Sequence, residues 1–335
     1  MQTCGVRSFA RKTGCKIRTF PVNIQKKVFL FGEFGYLCRK KYIVVMKKGL
    51  IFTIIAYVGV WLLIGGAWLC GAAIASPLWV VVAVLCMLVP LIATIISQLI
   101  HKEAVLRNIG IRWKFNRWWI VAWLLPVLMA AAIVSVACLM PGVHFTMESA
   151  VMTDALTQIN SMLPEGAALS PAIFLLIQLA NGFIAGATVN ALFAFGEEVG
   201  WRGYLLKQFA GKKFLFAAVV IGAIWGLWHA PLILCGLNFP SHPVAGVFMM
   251  VVACVCLAPV VQFVRLKSGS VVAAAIFHGS FNAFATFVVL FLDHNDELLT
   301  APMGLAGIIV FLMTLGALHL TDRSLLPSTI KEPFR

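Results

Sequence analysis

Eight stretches of the sequence, each about 20 residues long and dominated by apolar side chains, occupy roughly residues 50-71, 77-100, 118-140, 172-206, 214-235, 244-264, 270-292 and 302-320. A helix rising ~1.5 Å per residue needs about that length to cross the hydrocarbon core of a bilayer, and lipid offers no water to satisfy an exposed backbone. The repetition predicts an all-α, polytopic transmembrane helix bundle of about eight spans. The fourth stretch is longer than a span requires, so its first part, from Pro171 to Asn181, is expected to tilt or lie at the interface.

Composition agrees, with 61% hydrophobic and 11% charged residues in 335. The net charge of +14 suggests nucleic acid at first, but twelve of the 26 Lys and Arg fall within residues 1-48, beside one acid, Glu33. The remaining basic residues cluster in alternate loops: Lys47/Lys48, the 101-118 segment, Lys207/Lys212/Lys213, Arg265/Lys267 and Arg323. The intervening loops, 141-170 and 293-300, hold Glu148, Asp154, Glu165, Asp293, Asp296 and Glu297 without Lys or Arg. This positive-inside pattern places both termini in the cytoplasm of a multi-pass protein of the cell membrane, with lipid and not nucleic acid as its surroundings. Four segments are expected: a basic N-terminal extension, disordered or upstream of the true start at Met46, over 1-48; N-terminal spans and an outer loop with room for a short helix over 49-170; a helical core over 171-321; and a cytoplasmic tail over 322-335. Nine cysteines show no zinc-type spacing and read as small apolar side chains.

Among the twelve acidic residues, Glu197 and Glu198 lie well inside a span. An ionised group there costs about 2.5 to 3.5 kcal/mol on insertion scales, so it needs a partner or a cavity. Arg202 follows Glu198 by four residues on one helical face, which makes that couple a structural ion pair. Glu197 is rotated by about 100° and left as the chemical group. His229 and His278 also fall within spans, with Asn282 four residues beyond His278. Counted at ~1.5 Å per residue from the nearest basic loop, Glu197 lies ~15 Å deep, His278 ~16 Å and His229 ~24 Å, so the three can meet in one cavity. His101, His144, His242, His294 and His319 have no such company; the tryptophans read as interface anchors or packing, and Gly65, Gly66, Gly182 and Gly186 as sites of close helix contact.

A carboxylate and a neutral imidazole can share the proton of an attacking water, and a second His with an Asn can donate to an oxyanion, which together describe peptide-bond hydrolysis. HExxH, GxSxG and a pair of intramembrane aspartates are all absent from the sequence. Glu197, His229 and His278 are also chemically suited to hold a divalent metal such as zinc, and both options stay open.

The segment Gly196-Glu197-Glu198-Val199-Gly200-Trp201-Arg202 resembles EExxxR, the first signature of the CPBP family, which groups Rce-type CAAX-prenyl endopeptidases with bacteriocin-processing and bacteriocin-immunity (Abi) membrane proteins. Trp225-Gly226-Leu227-Trp228-His229 is similar to the second, FxxxH, with Trp in place of Phe, and His278-Gly279-Ser280-Phe281-Asn282 matches the third, HxxxN. The resemblance covers about residues 170 to 320. It implies that Glu197 and His229 activate water, that His278 and Asn282 stabilise the oxyanion, and that Glu198 and Arg202 support the site, with or without a metal. An intramembrane endopeptidase acting on a peptide or membrane-protein substrate is the leading expectation. A non-proteolytic immunity or partner-binding protein and a proton-coupled transporter are the alternatives.

Overall fold

The computed structural model describes residues 24-72, 76-164, 167-293 and 296-331, with side chains from Lys47 onward. The chain is an all-α bundle in which eight helical segments are long and apolar enough to cross a membrane, from Lys47–Leu69 to Glu297–Thr321. Large apolar side chains such as Leu62, Trp68, Leu128, Phe248 and Leu312 point outward. Such a surface would drive aggregation in water and is the lipid contact of a membrane bundle.

The first helix, α1, runs Ile24–Leu69, so no break separates the basic extension from the first span at residue 48. Residues 24-46 contain no proline, and nothing in that stretch stops a helix. Residues 1-23 of the expected extension lie outside the described residues, as do Glu165 and His294. Helices α2 (Pro77–Ile100) and α3 (Arg117–Ala137) follow, their first turns capped by Ser76 on the Trp79 amide and by Asn116 on the Trp118 amide. Beyond α3, the short helix α4 (Ala150–Ser161) occupies the acidic loop.

The fourth apolar stretch is not one helix but several pieces. Helix α5 (Pro171–Ala187) stops at Thr188, whose hydroxyl bonds back to the Ile184 carbonyl at 2.6 Å while its backbone leaves helical geometry (φ −120°, ψ −89°). Helix α6 (Val189–Glu198) then widens into a seven-residue π-helix, Val199–Leu205, and ends in the single turn α7 (Leu206–Gln208). Helices α8 (Phe214–Trp228), α9 (Ala230–Leu234), α10 (Pro243–Ser268), α11 (Val271–Leu290), α12 (Glu297–Thr300) and α13 (Leu305–Thr321) complete the bundle.

Helix α11 is the axis of the fold. It packs against α3, α5, α6 and α10 and is the most enclosed span. Its far end is pinned by a two-residue antiparallel pairing, strand His144–Phe145 against Leu292–Asp293. At the other end the basic loops gather. Glu103 bridges Lys48 and Lys207, Lys267 pairs with Asp322 at 2.6 Å, and the tail is laced to the 211-214 loop by backbone bonds such as Phe214 N–H to Ser328 O at 2.9 Å. Gly182 and Gly186 do meet α11, where added Cβ atoms would lie 3.2 Å from the Phe284 ring and 2.9 Å from Ser280 Cα. Gly65 and Gly66, expected to do the same, have nothing within 4 Å among the described residues, because that end of α1 faces outward.

Candidate active site at the junction of five helices

The glutamate pair closes α6, where the chain is pressed onto α2 through glycines. A Cβ at Gly196 would lie 2.6 Å from the Met87 carbonyl oxygen, and one at Gly200 would lie 2.5 Å from Pro90 Cβ. Any side chain at either position would lever the glutamates away from the bundle centre. On the opposite flank, a Cβ at Gly279 would come within 2.3 Å of the Ala191 backbone nitrogen, so α11 rides directly on α6. Gly226 plays the same part between α8 and α10, where its Cβ would meet Val251 Cα at 2.6 Å. Five helices are thereby drawn in around Glu197, Glu198, Arg202 and His278, which are 3%, 0%, 1% and 6% exposed.

Glu198 is shared. Its Oε1 accepts from Arg202 Nη1 at 2.9 Å and lies 2.9 Å from His278 Nδ1. A carboxylate oxygen only accepts, so His278 Nδ1 carries the proton there and the Nε2 edge faces away from Glu198. The ion pair expected from the four-residue spacing is therefore also the anchor of a histidine on another span. The second guanidinium nitrogen, Arg202 Nη2, and Glu198 Oε2 are buried without a hydrogen-bond partner among the described residues.

Glu197 has different company. Its Oε2 accepts from Trp225 Nε1 at 2.8 Å and from Trp201 Nε1 at 3.3 Å. Sequence reasoning assigned the tryptophans to packing and missed both donors. Trp201 was within reach of the same four-residue rule that pairs Glu198 with Arg202. Trp225 stands where the family signature has Phe, so the exchange adds an N–H that phenylalanine lacks. The Trp225 ring also lies under the Arg202 guanidinium, 4.3 Å from ring centroid to Cζ, and meets the His278 ring edge-on at 5.3 Å.

His229 ends α8, with its Nδ1 2.9 Å from the Trp225 carbonyl. A carbonyl can only accept, so Nδ1 is protonated and the neutral ring presents Nε2 as an acceptor. His229 is half-buried and lies within electrostatic reach of both Glu197 and His278. Asn282 stands apart. One turn beyond His278, it is exposed and lines a cavity of about 210 Å³ between α5, the start of α6 and α11.

Among the described residues, no group of three or more His, Cys, Asp or Glu side chains is arranged to hold a metal ion. Glu197 turns one oxygen to two indole donors and the Nδ1 atoms of both histidines are engaged, which leaves Glu197 Oε1 and the two Nε2 atoms as the donors that could hold a metal.

Residues 180–284 match the family model described as type II CAAX prenyl endopeptidase Rce1-like, a stretch that includes all six polar residues of the three signatures and both indole donors. A CAAX prenyl protease 2 of Methanococcus maripaludis is 46% identical over 43 residues, which is 12% of this chain and 16% of the relative. The aligned stretch thus spans about one sixth of that curated relative. With three signatures meeting on packed helices and the Rce1-like match running through all of them, residues 180–284 are similar to the Rce1-like endopeptidases, a likeness that supports the CPBP resemblance read from the sequence.

Proposed function

We propose that the chain is an intramembrane endopeptidase of the cell membrane that hydrolyses a peptide bond with a water activated between Glu197 and His229. The observation that carries this reading is the Glu197 carboxylate itself. It is buried and held through Oε2 by two indole N–H groups, with Oε1 left for a water.

The proton of that water passes to Glu197 as its oxygen attacks the substrate carbonyl carbon, with His229 Nε2 as the neighbouring acceptor. The oxyanion that forms is met by His278 in its imidazolium form, Nδ1–H held by Glu198 and Nε2–H turned to the oxyanion, and by the Asn282 amide one turn along the same helix. The proton returns to the leaving nitrogen as the carbon–nitrogen bond breaks.

The relative's name indicates a prenylated CAAX substrate for that protein. For this chain the substrate class is a peptide or membrane protein presented to the bundle. The test uses purified wild type and Glu197→Gln on a peptide library. Wild type is expected to cleave, and the variant to insert normally but lose at least about 10² in rate, the usual contribution of a general base. Cleavage by Glu197→Gln at the wild-type rate overturns the proposal. A biological effect that survives in that variant would favour the partner-binding alternative.

A further inference from the structure

The cavity beside Asn282 has a lining unusual for a membrane bundle. Gln178 and Asn181 project from one face of α5, Asn190 from the start of α6, and Asn282 and Thr286 from α11. Other polar side chains in the spans find backbone partners: Gln262 donates to the Phe214 carbonyl, Gln208 to Tyr204, and Thr94 to Pro90. The four carboxamides of the cavity make no side-chain hydrogen bond to the protein among the described residues, although they lie in apolar spans. Unsatisfied amides in lipid are costly, so a cluster of four implies an occupant that completes them.

The chemistry of the lining identifies the occupant. A carboxamide both donates and accepts, which matches the alternating C=O and N–H of a polypeptide backbone. No charged side chain lines the cavity, so it is not built for a phosphate headgroup or an ion. The lining runs along α11 from Asn282, beside the catalytic histidine, to Leu290. Those nine residues of helix extend for ~12 Å, the length of about three or four extended residues.

We infer that this groove binds the unwound backbone of a membrane-inserted polypeptide on one side of the bond to be cleaved. The inference rests on the proposed protease reading and adds a substrate class to it. A transmembrane helix cannot present its backbone to a protease until it is unwound, because its own hydrogen bonds hide it. Gln178, Asn181 and Asn190 replace the bonds that unwinding removes, and the groove thereby favours substrates with a helix-breaking pair at the right depth.

The test uses Glu197→Gln in lipid nanodiscs and a panel of fluorescent 20-residue apolar peptides. Each peptide carries a Gly-Gly pair at a different depth; one set is N-methylated at that pair, and an uninterrupted helix serves as the control. Binding is expected at one or two depths. N-methylation of the peptide should weaken it about tenfold, as should Gln178→Leu with Asn181→Leu added to the protein, while Asn181→Gln preserves it. Absence of binding across the panel, or binding indifferent to both changes, overturns the inference. Wild type that cleaves the panel while the groove changes leave binding untouched would sink the groove and keep the protease. Groove-dependent binding without any cleavage by wild type would do the reverse.

Discussion

The indole N–H of Trp225 donates to Glu197 Oε2 at 2.8 Å, while the Trp225 backbone carbonyl lies 2.9 Å from His229 Nδ1. One residue thus orients both members of the proposed water-activating couple. Trp225→Phe keeps a ring between Arg202 and His278 and removes the indole donor. Expression and insertion are expected to match wild type, with kcat reduced about tenfold and KM little changed, measured on a cleaved library peptide. An unchanged kcat would show that the bond is incidental.

Glu198 couples an ion pair to a histidine, so its loss should register twice. Glu198→Gln leaves the Arg202 charge buried without a counterion, and a stability loss of about 3–5 kcal/mol is expected in thermal unfolding. Adding Arg202→Met should recover much of that stability without fully restoring cleavage, because a neutral amide oxygen holds the His278 N–H less firmly than the carboxylate does. Full recovery of activity in the double variant would contradict the anchoring role.

Gly279 supplies a purely steric test. Gly279→Ala places a methyl group 2.3 Å from the Ala191 backbone nitrogen, and the helices must part to admit it. A stability cost of about 1–3 kcal/mol is expected, together with an activity loss larger than destabilisation alone explains, since His278 and Glu198 sit on opposite sides of that contact. Thermal unfolding and cleavage rates on the same preparation would separate the two effects.

Chelation addresses the metal question directly. The step proposed for Glu197 draws on the chain's own side chains alone, so treatment with EDTA or phenanthroline is expected to leave cleavage unchanged. Loss of activity on chelation, restored by zinc, would replace the metal-free step proposed for Glu197.

At the basic end, Glu103 is partly desolvated, which raises its pKa, but bonds from Lys48 and Lys207 outweigh this and hold the carboxyl below the ordinary carboxylate range. A depressed folded-state pKa stabilises the protein above the unfolded value, and the benefit disappears as pH falls through the folded one. Wild type is therefore expected to be more stable than Glu103→Gln at pH 7, with the gap closing progressively below about pH 4.3. A gap independent of pH would assign the effect to packing.

Much of this was legible in the sequence. The number and placement of spans followed from apolar run length, and the Glu198–Arg202 pair from a four-residue spacing, because both depend on one helix at a time. What was illegible depends on several. The break at Thr188 has no proline or charge to announce it; it arises where Gly186 is pushed against Ser280 of α11. Gln178, Asn181 and Asn190 are lone amides in apolar text and acquire meaning when three helices set them around one space. Gly65 and Gly66 resemble a packing motif yet face outward, since a pair of small residues says nothing about which direction a helix presents to its neighbours.

The π-helix Val199–Leu205 directly follows the glutamates and ends two residues before Lys207, the residue that moors this part of the bundle to Glu103. A π turn holds roughly one residue more than an α turn, so it acts as slack in the chain. Wound as a regular α-helix, the same seven residues would rotate the mooring lysine by about 100° relative to the glutamates, whereas deleting one of them would draw the slack out and leave the register as it is. The site and its anchorage stay in register because the wider turn takes up the extra residue between them.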